Sequence, residues 1–231
     1  MSGPHEDTGT TRTVQTLRAL EHDSASVRLR AALAAGTIPD PRFVGALVER
    51  SAVEPEFYVR DMLTWALTRH APSATVPRLV AELRSDRAQA RGQALHTLSK
   101  IGDRAAWPAI TRALLTDADD EVARTAWRTA VVLVPCGEEP TLAGVLATQI
   151  GRGRHETLLS LSRALVALGD AAVPALRTAT GHADPSVRRH AIATEALSRD
   201  PDAGFDFAIE EAKRIVALQD RPGGWTDSVD R

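Results

Sequence analysis

The chain has 231 residues, 28 Lys and Arg against 30 Asp and Glu, and a net charge of −2. That balance lacks the basic excess that usually marks a nucleic-acid binder, and a lone cysteine, Cys136, excludes a disulfide framework. With 43% hydrophobic residues but only 4% aromatics, a composition led by Ala, Leu, Arg and Val favours helices over strands.

Residues 1–10 are polar, carry Gly3 and Gly9 and show no periodicity, so they are expected to be disordered. They have neither the basic nor the apolar segment of a secretory leader. No run of 18 apolar residues follows, which predicts no membrane span and points to the cytoplasm. Helix pairs are then predicted at 11–38, 40–71, 73–102, 104–136, 138–169 and 171–199. A last helix is predicted at 202–218 and a flexible tail at 219–231, where Pro222-Gly223-Gly224 precedes Trp225.

One phrase opens the second helix of most pairs: Val27-Arg28, Val59-Arg60, Ala90-Arg91 and Val187-Arg188, with weaker copies at Val122 and Thr157. The steps between these six anchors are 32, 31, 32, 35 and 30 residues. Self-similarity at such a period marks a solenoid of stacked units. Proline is predicted in the first turn of several first helices, at Pro77, Pro108 and Pro174, where its missing N–H costs nothing. After the third anchor, Ala90, Ala94, Leu95, Leu98 and Ile101 form an apolar stripe at helical spacing. The helix should then end in a left-handed cap at Gly102, as the fifth repeat should at Gly169. The recurring Arg28, Arg60, Arg91 and Arg188 are expected to stitch adjacent turns. Trp127 is expected in the core with Val122, Ala126 and Ala130, and Trp107 between repeats.

An acidic turn, Val-Arg, Ala-x-x-Ala-Leu, Ile-Gly-Asp and then Val/Trp-Pro-x-Leu, best seen across Ser85–Leu115 and Arg154–Leu176, resembles the HEAT repeat in its short, phycobilisome-lyase-type form. The resemblance covers about 11–200 and extends to stand-alone actinobacterial HEAT-repeat proteins. It implies an all-α fold: a right-handed α-solenoid of about six helix pairs over 11–218, closed by a C-terminal capping helix.

In such a stack the second helices line the concave side. Superposing the anchors places Asp61, Trp65, Gln93, His96, Lys100, Arg124, Arg128 and Arg163 on that face, where generic polar residues would otherwise stand. Trp and Arg are the types enriched at binding hot spots. The alternative for Trp65 is packing between repeats, and for the cations plain solvation.

Catalytic signatures are missing. His155-Glu156 begins a zinc-binding pattern, but Leu159 stands where the second histidine belongs. No phosphate loop or nucleophile elbow occurs, so no catalytic residue, metal or cofactor is assigned. The reading is a non-catalytic interaction scaffold of bacterial, regulatory type that binds an acidic or amphipathic segment of another protein. Resemblance to proteins linked to MerR-type regulators suggests a transcription regulator as that partner. Two alternatives follow from resemblance. One is a HEAT-like DNA glycosylase for alkylated bases, which the acidic balance disfavours. The other is a chromophore lyase-like subunit.

Overall fold

The structure, a computed structural model, describes residues 5–200 and 204–219, with 5–10 as backbone only. Pro222-Gly223-Gly224 and Trp225 lie outside the described residues. Every element in the described residues is helical: thirteen α-helices and two short 3₁₀ segments. The chain divides into two compact units, Met1–Cys136 and Gly137–Arg231.

The first unit stacks four helix pairs. These are α1 (His5–Leu20) with α2 (Ala25–Thr37), α3 (Phe43–Ser51) with α4 (Phe57–Thr68), and α5 (Pro72–Glu82) with α6 (Ala88–Ile101). The fourth joins a 3₁₀ segment (Arg104–Ala109) and the short α7 (Arg112–Leu115) to α8 (Asp120–Leu133). The second unit holds α9 (Glu139–Ala147) with α10 (His155–Ala167), then a 3₁₀ turn (Gly169–Ala172) and α11 (Val173–Thr180) with α12 (Pro185–Arg199), and last α13 (Phe205–Gln219). This is the α-solenoid architecture of six helix pairs plus a C-terminal helix. The first helix starts at His5, ahead of the boundary expected at residue 11.

Local chemistry explains the boundaries. Asp119 starts α8 by accepting hydrogen bonds from the N–H groups of Glu121 (2.9 Å) and Val122 (3.2 Å). Asp184 does the same for α12 through Ser186 N (2.8 Å). Such caps satisfy donors that the helix itself leaves orphaned. Gly102 (φ +71°) and Gly169 (φ +57°) follow α6 and α10 in the left-handed region, as expected of helix-ending glycines. The prolines behave less uniformly. Pro174 lies in the first turn of α11, but Pro77 is inside α5 and Pro108 is in the 3₁₀ segment. The reason for Pro77 is that α5 already begins at Pro72, the earlier proline, which takes the position suited to a missing N–H.

The repeated arginine has one recurrent job. Arg28 donates from Nη1 to the carbonyls of His22 (2.8 Å) and Asp23 (2.7 Å). Arg60 donates to Glu54 (2.9 Å) and Pro55 (2.6 Å), Arg91 to Ser85 (2.9 Å), and Arg188 to His182 and Ala183 (both 2.8 Å). In each of these four repeats the guanidinium thus reaches back five or six residues and holds the loop that enters its own helix. Arg28 and Arg91 also reach the following repeat. Arg28 forms a two-pronged pair with Glu54 (2.6 and 2.7 Å), and Arg91 one with Asp117 (2.9 and 3.1 Å). Fork-to-fork geometry of this kind fixes orientation as well as charge.

Between these ties lies an apolar core. Leu47, Leu63, Leu67, Leu95, Leu98 and Leu133 are buried in the first unit, and Leu146, Leu161 and Leu165 in the second. Trp127 is fully buried, and its indole N–H donates to the carbonyl of Leu115 (2.8 Å). A buried tryptophan needs such a partner because its one polar atom cannot go unpaired cheaply. No single helix in the described residues is long and apolar enough to cross a membrane. The bent pair of α10 and the segment Gly169–Thr180 is apolar enough together, with Leu161, Leu165 and Leu176 buried inside the second unit.

Candidate functional site

Within the first unit the second helices α4, α6 and α8 line a groove of about 670 Å³. The face they present follows from the periodicity. The apolar stripe of each helix (Val59, Leu63, Ala66; Ala90, Ala94, Leu98; Val122, Ala126, Ala130) faces inward, so the residues between point out. α4 contributes Phe57, Arg60, Asp61 and Thr64; α6 contributes Gly92, Gln93 and His96; α8 contributes Glu121, Thr125 and Arg128.

Four of the eight candidate residues therefore meet in one place: Asp61, Gln93, His96 and Arg128. The other four stand elsewhere. Lys100 is exposed one turn beyond His96 on α6, close enough for its charge to disfavour a proton on that imidazole. Arg124 is one turn before Arg128 on α8 and pairs with Glu121 (2.6 Å). Trp65 is part-exposed, and its ring leans toward α2. A Cβ at Gly36 would collide with Cζ3 of the indole, so the missing side chain at Gly36 is what lets the ring lie there. Arg163 belongs to the second unit, where it borders a separate cleft of about 460 Å³ with Leu159, Val166 and Phe205.

The charged groups of the groove differ in how far they are already engaged. Arg60 holds two loop carbonyls and lies over the Phe57 ring at 5.8 Å. Asp119 caps α8, and Glu121 takes Arg124. Asp61 and Arg128 make no ion pair among the described residues. Arg128 Nη2 donates to Thr125 Oγ1 (2.9 Å), which occupies one of its five donors. Burial, then the neighbouring Arg124 charge, pulls the Arg128 guanidinium below its ordinary value, with Glu121 opposing. Burial, Lys100 and Arg128 together depress His96, and Asp61 partly offsets them. The imidazole is therefore neutral at pH 7 and offers one donor and one acceptor.

Periodicity alone misses Phe57, which is 74% exposed at the first position of α4, and Thr64, whereas Thr125 stands at the same register as Gln93. An exposed phenylalanine at the mouth of a polar groove is a signal in itself. Finding it from the sequence requires knowing that α4 starts at Phe57, because the residue precedes the Val-Arg anchor. Among the described residues no group of three His, Cys, Asp or Glu side chains is placed to hold a metal ion.

No curated protein matches the chain. Residues 47–130, which contain every side chain lining the groove, match the family described as HEAT repeats.

Proposed function

We propose that the first unit is a non-catalytic interaction module whose groove binds an acidic or amphipathic segment of another protein. HEAT repeats are generally protein-interaction scaffolds, because stacked helix pairs offer an extended surface without needing a catalytic site. The observation that carries the reading is the convergence of Asp61, Gln93, His96 and Arg128 on one groove, with Asp61 and Arg128 lacking ionic partners among the described residues. Solvent-exposed charges without an ionic partner, next to an exposed phenylalanine, are what a partner's side chains would pair with. A regulatory role, a transcription regulator as partner, and kinship with the phycobilisome-lyase-type repeat and actinobacterial proteins belong to the same proposal. So does a cytoplasmic setting, which the exposed thiol of Cys136 supports. Duplex DNA fits less well, since Asp61, Asp119 and Glu121 put three carboxylates where phosphates would run.

A photocrosslinking residue in place of Gln93, expressed in the native host, tests this. Gly92 makes a clean control. A Cβ added there meets nothing within 4 Å, so Gly92→Leu fills the groove without disturbing the helix. Capture of a discrete protein at Gln93, absent in Gly92→Leu and absent from a crosslinker at the exposed Ser73 of α5, supports the reading. Capture of the same proteins at both positions, or capture unchanged by Gly92→Leu, overturns it.

A further inference from the structure

We infer that the groove selects an extended peptide bearing one acidic and one basic side chain about five residues apart, the acid received by Arg128 and His96 and the base by Asp61. The inference rests on the reading of the groove as a protein-binding site and adds what that site recognises.

Three observations lead to it. First, the ionisable groups of the groove separate into engaged and unengaged sets. Arg60, Asp119 and Glu121 are committed to loop carbonyls, a helix cap and Arg124. Asp61, His96 and Arg128 remain, and the His96 ring has no hydrogen-bond partner among the described residues. Second, these three come from successive second helices, α4, α6 and α8, so an anion stands at one end of the row and a cation at the other. A single-sign ligand would satisfy one end and be repelled by the other. Third, the floor between them suits a backbone. Gly92 has no side chain and open space above it, and the Gln93 amide makes no hydrogen bond among the described residues. A free carboxamide can pair with both the N–H and the C=O of a strand laid across it.

The spacing follows from helix packing. Neighbouring helices lie about 8–10 Å apart, so α4 and α8 stand roughly 16–20 Å apart. An extended chain advances about 3.3 Å per residue. The two charges of the ligand should then be about five or six positions apart. A helical ligand with the same residues would advance only about 1.5 Å per residue and fall short.

Labelled peptides of Gly, Ser and Ala, carrying one Arg and one Glu separated by two to eight positions in both orders, are titrated with the full chain by fluorescence anisotropy. Binding should be strongest near five residues and in one order. Asp61→Lys or Arg128→Glu alone should each weaken it at least tenfold. The double reversal should prefer the peptide with Arg and Glu exchanged. Loss of binding at high salt should accompany this. Equal binding at every spacing, a two-Glu peptide binding as tightly, or no charged peptide exceeding the uncharged one would overturn the inference. If Gly92→Leu blocks photocapture in the host but charge spacing has no effect, the protein-binding groove stands and only its proposed code fails. If Gly92→Leu changes neither, both fail.

Discussion

Glu54 in the first unit and His190 in the second are both sealed from solvent, 0% and 1% exposed, and they are satisfied in opposite ways. Glu54 is ionised. Burial works against that charge more strongly than any single contact favours it. The Arg28 guanidinium, the Glu56 N–H and Arg50 together prevail, and hold the carboxyl down to about 2. His190 is neutral. Its Nδ1 accepts from the Gly151 N–H (2.9 Å), while Nε2 faces the Leu158 carbonyl and the Ser162 hydroxyl (both 3.0 Å). Ser162 in turn bonds Thr194 (2.7 Å), and Phe205 of α13 packs edge-on against the imidazole. Burial lowers its proton affinity, and the Leu158 carbonyl only partly opposes it, leaving it at about 4. One unit thus joins its repeats through a desolvated ion cluster and the other through uncharged hydrogen bonds. Both satisfy the requirement that buried polar groups be paired, but they fail under different conditions.

The largest expected effect breaks the ionic tie. Arg28→Met leaves Glu54 buried with Arg50 as its remaining cation, and removing one member of a buried pair costs about 3–5 kcal/mol. Urea unfolding followed by tryptophan fluorescence should register it, since Trp65, Trp107 and Trp127 all lie in the first unit. The double variant Arg28→Met, Glu54→Leu should recover much of the loss. If the single variant is as stable as the parent, the cluster is not what joins the first two repeats.

Acid distinguishes the units next. Both groups bind protons less readily when folded, so each contributes stability at high pH that is lost as pH falls. For His190 the window runs from its ordinary 6.5 down to about 4, and for Glu54 from 4.5 down to about 2. Each amounts to about 3 kcal/mol across its window. The second unit should therefore loosen first. Hydrogen exchange by mass spectrometry, with each rate divided by the intrinsic exchange rate at that pH, should show protection in α10 and α12 about 30-fold lower at pH 5 than at pH 7, with protection in α2 and α4 unchanged. His190→Gln should flatten that difference. A larger loss of protection in α2 and α4 than in α10 and α12 at pH 5 would refute the ordering.

A smaller effect sharpens the comparison within the first unit. Arg91 and Asp117 form the same inter-repeat pair in a partly exposed setting, with side chains 18% and 12% accessible. Arg91→Ala should cost about 1–2 kcal/mol, clearly less than Arg28→Met, because water can replace what is lost. Equal costs at the two sites would show that desolvation is not what separates them.

Much of this molecule can be read from periodicity. The Val-Arg phrase, with its weaker copies at Val122 and Thr157, locates the second helices, Gly102 and Gly169 mark ends, and the inward stripe identifies Trp127 as core. The loop-clamping role of the arginines is also local, since each reaches a carbonyl only five or six residues back. Their longer reach is not. Nothing near Arg28 indicates that Glu54, 26 residues on, takes its other face, or that Asp117 does so for Arg91. The candidate site divides along the same line. Register across repeats brings Asp61, Gln93, His96 and Arg128 together. It misplaces Trp65, whose ring direction depends on the space left at Gly36 in the previous repeat.

The sequence by itself determined the helices, their pairing and the face each one buries, because a 3.6-residue period and a cap residue act over one or two turns. Only the tertiary structure decided which charges are already engaged and which stand open in the groove. That choice depends on distances between residues of different repeats, and the desolvation that makes a buried charge need a partner exists only once the repeats have packed.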